Sequence, residues 1–269
     1  MRVSCVALTT TGRLPLLRWA ILDFTRQTHG NRELIVVIDR DPVLAAAVRR
    51  YVAAIVGHDI RIVQSETKLP LGSLRNLGIE AATGDVLCQW DDDDRYSAGR
   101  LAHQLGTLNG TGADACFLHD QLYYFTDREE VHCVDWRYHR GMPIPLTWRT
   151  VIPGTVMWRR SSARYPAAGP GGRIGEDTLF ARHLALGHIV AVPNRTYCYL
   201  RVFHGGNVCT RRHHERAARV RGLSAGQVRR ERIAIESVLS ELDVPVVSVM
   251  SGRQAVFTPG GYAAERGEA

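Results

Sequence analysis

Four consecutive aspartates, Asp91 to Asp94, stand directly behind the apolar segment DVLCQW (85–90). Alternate residues of an extended segment point to opposite sides, which would put Asp91 and Asp93 on one face. Like charges that close raise one another's pKa unless a cation neutralises them. A divalent ion does so directly: Mg2+ or Mn2+ takes hard oxygen ligands, commonly one or two carboxylates together with substrate phosphates. Held there, such an ion would grip a diphosphate and stabilise its charge as it leaves. The plainer alternative is a solvated acidic turn, and the position of the run in the fold decides between the two.

The first half of the chain alternates strand-like and helix-like segments. VSCVAL (3–8), ELIVVID (33–39), IRIVQ (60–64) and DVLCQW (85–90) are short apolar runs of strand length. Between them lie helical patterns. Leu14, Leu17, Ile21 and Phe24 recur at helical spacing, Asp41-Pro42 opens VLAAAVRRYVAAIV, which Gly57 closes, and GSLRNLGIEAATG ends at Gly84. Ser97 is expected to cap a helix running to Leu108. Such alternation predicts an α/β fold, a mainly parallel Rossmann-like sheet with helices on both faces. The aspartates then fall at the C-terminal end of the fourth strand, the edge where open α/β sheets bind ligands. Asp39 ends the second strand at the same edge, and Thr9 to Thr11 follow the first. Past residue 113 the alternation weakens. ACFLHDQLYYF and IPGTVMWRR read as strands, EDTLFARHLALG as a helix, and 224–242 as one further helix before a polar, Gly-rich tail.

Composition narrows the class without choosing a substrate. The 269 residues are 45% apolar and 23% charged, ordinary for a globular chain long enough for a substantial core. The net charge is +7, and Lys68 is the one lysine among 34 basic residues. Arginine is the better bidentate partner for phosphates and carboxylates, but net charge alone does not separate nucleic acid, membrane and polyanionic substrates. The six cysteines (5, 88, 116, 133, 198 and 209) form no CxxC or zinc-like pattern, and Cys5 and Cys88 read as small core residues. No apolar run reaches the roughly 18 residues of a membrane span, and the N-terminus is too polar for a signal peptide. A cytoplasmic location is expected, with the inner membrane face as an alternative.

The order of these segments resembles the family 2 glycosyltransferases of the GT-A fold, over residues 3 to about 210. VALTTTGR is similar to the family's strand followed by T-Y-N-R, with Thr10 at the tyrosine position and one extra glycine. VVIDRD resembles the strand ending D-D-G-S, with Ile38 replacing the first aspartate. LRNLGIEAATG is nearly complete against A-R-N-x-G-I-x-x-A-x-G, and DDDD corresponds to D-x-D-D. GEDTLFARHLALG carries G-E-D before an amphipathic helix, and YLRVFHGGN resembles Y-R-x-H-x-x-N. The resemblance implies a nucleotide-sugar-binding half over 1–112, an acceptor and catalytic-base half over 113–222, and a C-terminal helix and tail over 223–269.

It also implies roles. Thr9 and Asp39 contact the base and ribose of a nucleotide, with Thr10 and Thr11 beside them, and Arg75 lies against the same nucleotide. Asp92 approaches the ribose or sugar. Asp93 is the main ligand of Mn2+ or Mg2+, Asp91 and Asp94 support it, and His204 is a further metal or diphosphate ligand. Asp177 is the catalytic base and Glu176 its acidic neighbour. Family members invert: the acceptor attacks the anomeric carbon opposite the diphosphate, a carboxylate takes its proton, and the metal steadies the leaving charge. UDP is the expected donor nucleotide because it is the commonest in the family. From the residues alone, Arg75 would be a helix-surface ion pair, His204 a structural histidine, and Glu176 and Asp177 favourable charges at a helix start.

Other segments keep their alternatives. GPGGRIG (169–175) is no dinucleotide fingerprint and suits a lid near the acceptor. Tyr123, Tyr124 and Phe125, with Trp136 and Trp148, are expected in the core or, less simply, stacked on sugar. Arg211 to Arg232 includes eight arginines, a solvated face or a contact for an anionic membrane, a phosphorylated acceptor or nucleic acid. The acceptor itself stays open between a saccharide, a lipid-linked sugar, a natural product and a nucleic-acid base. A nucleic-acid-modifying glycosyltransferase and a nucleotidyltransferase on a related sheet are the competing functions. The latter lacks its glycine-rich basic loop after the first strand.

Overall fold

The computed structural model describes residues 1–147, 150–167, 175–193 and 196–260. In chain order the elements begin β1 (Val3–Thr9), α1 (Leu14–Thr25), β2 (Arg32–Ile38), α2 (Pro42–Ala53), β3 (Ile60–Gln64), α3 (Leu71–Ala81), β4 (Val86–Gln89) and β5 (Arg95–Tyr96). They continue α4 (Arg100–Thr111), β6 (Ala115–Phe117), β7 (Asp120–Phe125), β8 (Glu130–Asp135), β9 (Tyr138–His139), β10 (Met142–Pro143), β11 (Met157–Arg159), α5 (Glu176–Leu184) and β12 (Ile189–Ala191). The last are β13 (Tyr199–Phe203), α6 (Arg211–Arg221), α7 (Ala225–Arg230), α8 (Arg232–Glu241), β14 (Ser248–Ser251) and β15 (Gln254–Phe257). These form two compact units, each drawn from separated stretches of chain.

The first unit takes Met1–Asp94, Ala98–Leu118 and the described part of Thr147–Pro193. Its seven-stranded sheet runs β12-β6-β11-β4-β1-β2-β3. The strands β4, β1, β2 and β3 are mutually parallel, and β11 is antiparallel to both its neighbours. Burial on both faces explains why β1 and β2 are almost continuously apolar rather than alternating. Cys5 and Cys88 face each other across β1 and β4 and are fully buried, as small core residues. Gly78 of α3 lies against Val6, where an added Cβ would stand 2.4 Å from Val6 Cγ1. Only glycine lets that helix approach the sheet so closely.

The N-terminal edge of this sheet is tied by Glu33, a fully buried carboxylate on β2. Its Oε1 accepts from Ser4 Oγ at 2.5 Å, Thr83 N at 2.6 Å and Thr83 Oγ1 at 2.8 Å. Its Oε2 meets Arg61 of β3 and Arg2. One side chain thus fastens β1, β2, β3 and the turn before β4.

The second unit takes Arg95–Ser97, His119–Leu146 and the described residues after Pro193. Its sheet runs β15-β14-β8-β7-β13-β5, with β9 and β10 as a separate hairpin. Tyr123, Tyr124 and Phe125 are all buried in its cores, which is the packing role the sequence favoured. Trp136 lies partly buried under Arg221, whose guanidinium carbon is 4.2 Å from the ring centre. Trp148, most of the GPGGRIG segment and the tail from 261 lie outside the described residues.

Several boundaries differ from the sequence reading. Ser97 caps no helix; its N–H donates to Cys198 O, and α4 starts three residues later behind Gly99. ACFLHDQLYYF is two strands, β6 and β7, broken at Leu118-His119 where the chain passes from one unit to the other. IPGTVMWRR opens with a 3-10 turn, Pro153–Thr155, because proline cannot supply the ladder N–H that a strand needs. The expected helix over 224–242 breaks at Glu231 into α7 and α8. The aspartate run is not extended either: Asp92 and Asp93 turn and Asp94 bends, so the alternation of an extended segment does not hold there.

Burial alone would raise the Glu33 pKa, but Ser4, Thr83 and Arg61 outweigh it and hold it down at about 2, below the ordinary 4.5. The folded value lies below the unfolded one, so this contribution is complete above about pH 4.5 and fades as pH falls toward 2. We expect Glu33→Gln to cost about 1–3 kcal/mol at pH 7 in urea unfolding. It should also flatten the loss of stability across that acid range; an unchanged acid profile would show that Glu33 does not carry it.

Candidate active site

The site forms where β1, β2 and β4 end, and each residue arrives there through a local device. Behind Thr9 the chain turns, with Arg13 N bonding to Thr10 O at 3.1 Å and Gly12 at φ +84°. Only glycine takes that left-handed backbone without strain. The turn sets Arg13 at the start of α1. Asp39 follows β2, and its Oδ1 accepts from Ser65 Oγ at 3.3 Å and Leu69 N at 3.4 Å. Its Oδ2 makes no hydrogen bond or ion pair among the described residues. Thr11 Oγ1 donates to Asp41 Oδ2 at 2.5 Å, tying the turn to the cap of α2, and Thr10 is exposed.

The aspartate run is anchored from behind. Trp90, fully buried, donates its indole N–H to Ala20 O of α1 at 3.0 Å. The buried Arg100 donates to Gln89 O at 2.9 Å and stacks over the Trp90 ring. With its approach fixed, the run divides between two arginines. Arg13 Nη1 donates to Asp92 Oδ1 at 2.9 Å and to Asp93 Oδ2 at 3.0 Å. Arg75 Nη1 lies 3.8 Å from Asp91 Oδ1, and its Nε donates to Glu176 Oε1 at 3.2 Å. Asp92 and Asp94 are buried, while the Asp93 and Asp91 side chains keep 15% and 25% exposure.

Charge and burial set the protonation of these groups. Burial, then the neighbouring Asp93, pushes the Asp92 carboxyl up to about 7 against the lowering pull of Thr9 and Arg13. Thr9 Oγ1 and Asp92 Oδ2 are both buried without a bonded partner among the described residues. Burial alone would lower Arg13, yet Asp93 and Asp92 hold its pKa above the ordinary value. Arg75 is raised in the same way, by Tyr165, Asp91, Glu176 and Asp177 against its burial.

Arg75 is the hub of a buried assembly rather than a surface ion pair. Its guanidinium carbon lies 5.4 Å from the Tyr165 ring centre. Tyr165 is clamped by Asn76, which donates from Nδ2 to Tyr165 O at 2.8 Å and accepts from Tyr165 N at 2.9 Å. The Tyr165 hydroxyl donates to Gln89 Oε1 at 3.0 Å, and Gln89 Nε2 donates to Asp91 Oδ1 at 2.9 Å. Phe180 of α5 stacks on Tyr165 with centroids 3.9 Å apart. That packing, with Gly175 at φ +99° as cap, delivers Glu176 and Asp177 at the N-terminus of α5. Glu176 is buried on Arg75. Asp177 is half-exposed, with its Oδ1 accepting from Thr178 N at 2.6 Å.

The first unit therefore brings together Thr9, Arg75, Asp91 to Asp93 and Glu176, with Asp39 at the same strand edge. His204 belongs to the second unit, where its N donates to Asn207 Oδ1 at 2.9 Å and its Nδ1 accepts from Gly206 N. Arg13, Asn76, Gln89 and Tyr165 were not singled out from the sequence. Arg13 and Asn76 stand inside quoted motifs, TTTGR and LRNLG, whereas nothing in the sequence marks Tyr165, which lies 89 residues from Asn76.

The donor set decides what cation fits. Among the described residues no three His, Cys, Asp or Glu side chains converge as a ready metal cage. The residues do fit an ion held by one or two partly exposed carboxylates, Asp93 first, whose other ligands come from phosphate and water. Hard carboxylate oxygens suit Mg2+ or Mn2+ rather than a softer metal. Among the described residues no helix is long and apolar enough to cross a membrane.

Comparison with known proteins bears on the fold and the family. The amylovoran biosynthesis glycosyltransferase AmsB of Erwinia amylovora is 32% identical over 110 residues, which is 38% of this chain and 35% of that protein. The match thus spans about a third of the length of that relative. Residues 1–349 of TarS from S. aureus share the fold at a TM-score of 0.57 and 14% identity, covering 91% of this chain and 81% of that one. The same protein with UDP-GlcNAc gives a TM-score of 0.56 and 15% identity over 90% and 66%. The mannosyltransferase PcManGT of Pyrobaculum calidifontis, with GDP-Man and Mn2+, gives 0.55 and 14% over 90% and 62%. Residues 5–164, more than half of the sequence, match the model of glycosyl transferase family 2, and the chain belongs to that family.

Proposed function

We propose that this glycosyltransferase moves a sugar from a UDP-linked donor to an acceptor by one inverting displacement, with Mn2+ or Mg2+ beside the diphosphate. The observation that carries the reading is the gathering of Thr9, Asp39 and Asp91 to Asp93 at the C-terminal edge of three neighbouring parallel strands. That edge is where nucleotides bind in open α/β sheets. The neighbour structures with UDP-GlcNAc, and with GDP-Man and Mn2+, support a nucleotide-sugar donor and a divalent ion.

In this reading Asp39, whose Oδ2 makes no hydrogen bond or ion pair among the described residues, and Thr9 meet the base and ribose. The buried Asp92 faces the ribose or sugar. Asp93 holds the metal, with Asp91 and Asp94 in support. When bound, the metal supplies charge stabilisation to the departing diphosphate. Asp177 takes the acceptor's proton: its Oδ1 is occupied by Thr178, while Oδ2 makes no hydrogen bond or ion pair among the described residues. Glu176 is committed to Arg75, so it fixes the helix that presents Asp177 rather than sharing the proton transfer. Arg75 joins the two halves of the chemistry, since it contacts the aspartate run through Asp91 and the base helix through Glu176.

Three outcomes test this. Asp177→Asn should bind donor as the wild type does yet lose about 10²–10⁴-fold in kcat; lost donor binding in a folded variant would contradict its role as base. Asp93→Ala should abolish the effect of Mn2+ on nucleotide affinity in calorimetric titration, and an unchanged metal response would move the metal elsewhere. Arg75→Met strands two buried or half-buried carboxylates and should cost about 3–5 kcal/mol in urea unfolding. A cost below about 1 kcal/mol, the range of a surface ion pair, would contradict the buried hub.

A further inference from the structure

One residue at the site has no part in the proposed displacement and yet holds its most charged atoms. Arg13 Nη1 bridges Asp92 Oδ1 and Asp93 Oδ2, at 2.9 and 3.0 Å. We infer that Arg13 is an exchangeable counter-ion: it occupies the aspartates until a nucleoside diphosphate arrives, and so makes divalent-metal binding depend on the nucleotide. The inference rests on the metal-assisted reading above and adds an order of events to it.

The argument is electrostatic. A divalent ion approaching Asp93 alone meets a guanidinium already bonded to the same carboxylate, and two cations crowded onto it repel one another. Expelling Arg13 also strips Asp92, which is 2% exposed and whose Oδ2 has no bonded partner among the described residues. A buried carboxylate that loses its cation is strongly destabilising. A metal on its own therefore binds against the cost of freeing Arg13. A diphosphate removes that cost, because its oxygens accept the guanidinium fork as well as a carboxylate does. The position of Arg13 suits the exchange: it begins α1 behind the Gly12 turn, and its side chain keeps 22% exposure. By linkage, whatever the nucleotide gains for the metal, the metal returns to the nucleotide.

The test is Mn2+ binding followed by the EPR signal of the free ion, on the purified chain without nucleotide and then with UDP. Arg13→Ala should bind Mn2+ alone about 10-fold more tightly than the wild type, and UDP should improve its Mn2+ affinity by a smaller factor. Arg13→Lys, which keeps a cation at the bridge, should bind Mn2+ alone as weakly as the wild type. Arg18→Ala removes the same charge from an exposed position on α1, beside Tyr51, and should leave Mn2+ affinity unchanged. Thermal melting confirms that each variant is folded, and Arg13→Lys keeps the comparison available if the alanine variant does not fold. Equal Mn2+ affinity in wild type and Arg13→Ala, or an equal gain in Arg18→Ala, would overturn the counter-ion role while leaving the function standing. Wild-type protein that takes up no Mn2+ even with UDP would overturn the metal reading, and this inference with it.

Discussion

Carboxylates crowded at the end of a buried strand must be neutralised, and much of the first unit is arranged around meeting that condition. The run from Asp91 to Asp94 leaves β4 into a turn where Asp92 and Asp94 are buried. Without cations, that charge density would push the carboxyls toward protonation or the turn toward solvent. Two arginines from different elements supply the balance. Arg13, at the head of α1, takes Asp92 and Asp93; Arg75, on α3, takes Asp91. Because the partners lie so far apart in sequence, satisfying the aspartates also fixes where α1 and α3 stand against the strand end.

Arg75 carries the constraint further. Its second carboxylate is Glu176, on the helix that presents Asp177, and its face lies on Tyr165, whose hydroxyl returns through Gln89 to Asp91. The loop of contacts is closed, so no member can shift without unpairing a buried group. Such assemblies are costly when partly satisfied and specify one geometry when complete. The opposite edge of the sheet is secured separately through Glu33, which leaves the ligand edge to be shaped by its own charges.

The sequence made the first four strands and three helices legible because burial on both faces writes long apolar runs, and because Asp41-Pro42 marks the start of α2, although that helix ends at Ala53 rather than at Gly57. It also placed the aspartate run, Asp39 and Thr9 at one edge, which the parallel register of β1, β2 and β4 bears out. What it missed was long-range. ACFLHDQLYYF is uniformly apolar through Leu118, so nothing local shows the chain leaving one sheet for another. The helix over 224–242 keeps its pattern through the break at Glu231. In the site, the buried setting of Arg75 was not legible, because its partners Asp91, Tyr165 and Glu176 come from segments that no local pattern connects. Asp91 and Asp93 share a face only on an extended backbone; the run turns instead, with Arg13 bonded to Asp93 and Arg75 3.8 Å from Asp91.

The central claim is that this balanced acidic edge is a seat for a nucleoside diphosphate. It is tested most directly by calorimetric titration of UDP, GDP and other nucleoside diphosphates into the purified protein, in Mn2+ and again in EDTA. The account predicts saturable binding of at least one nucleotide, UDP first, and tighter binding with the metal than without it. Absence of nucleotide binding under both conditions, in a folded protein, would contradict it.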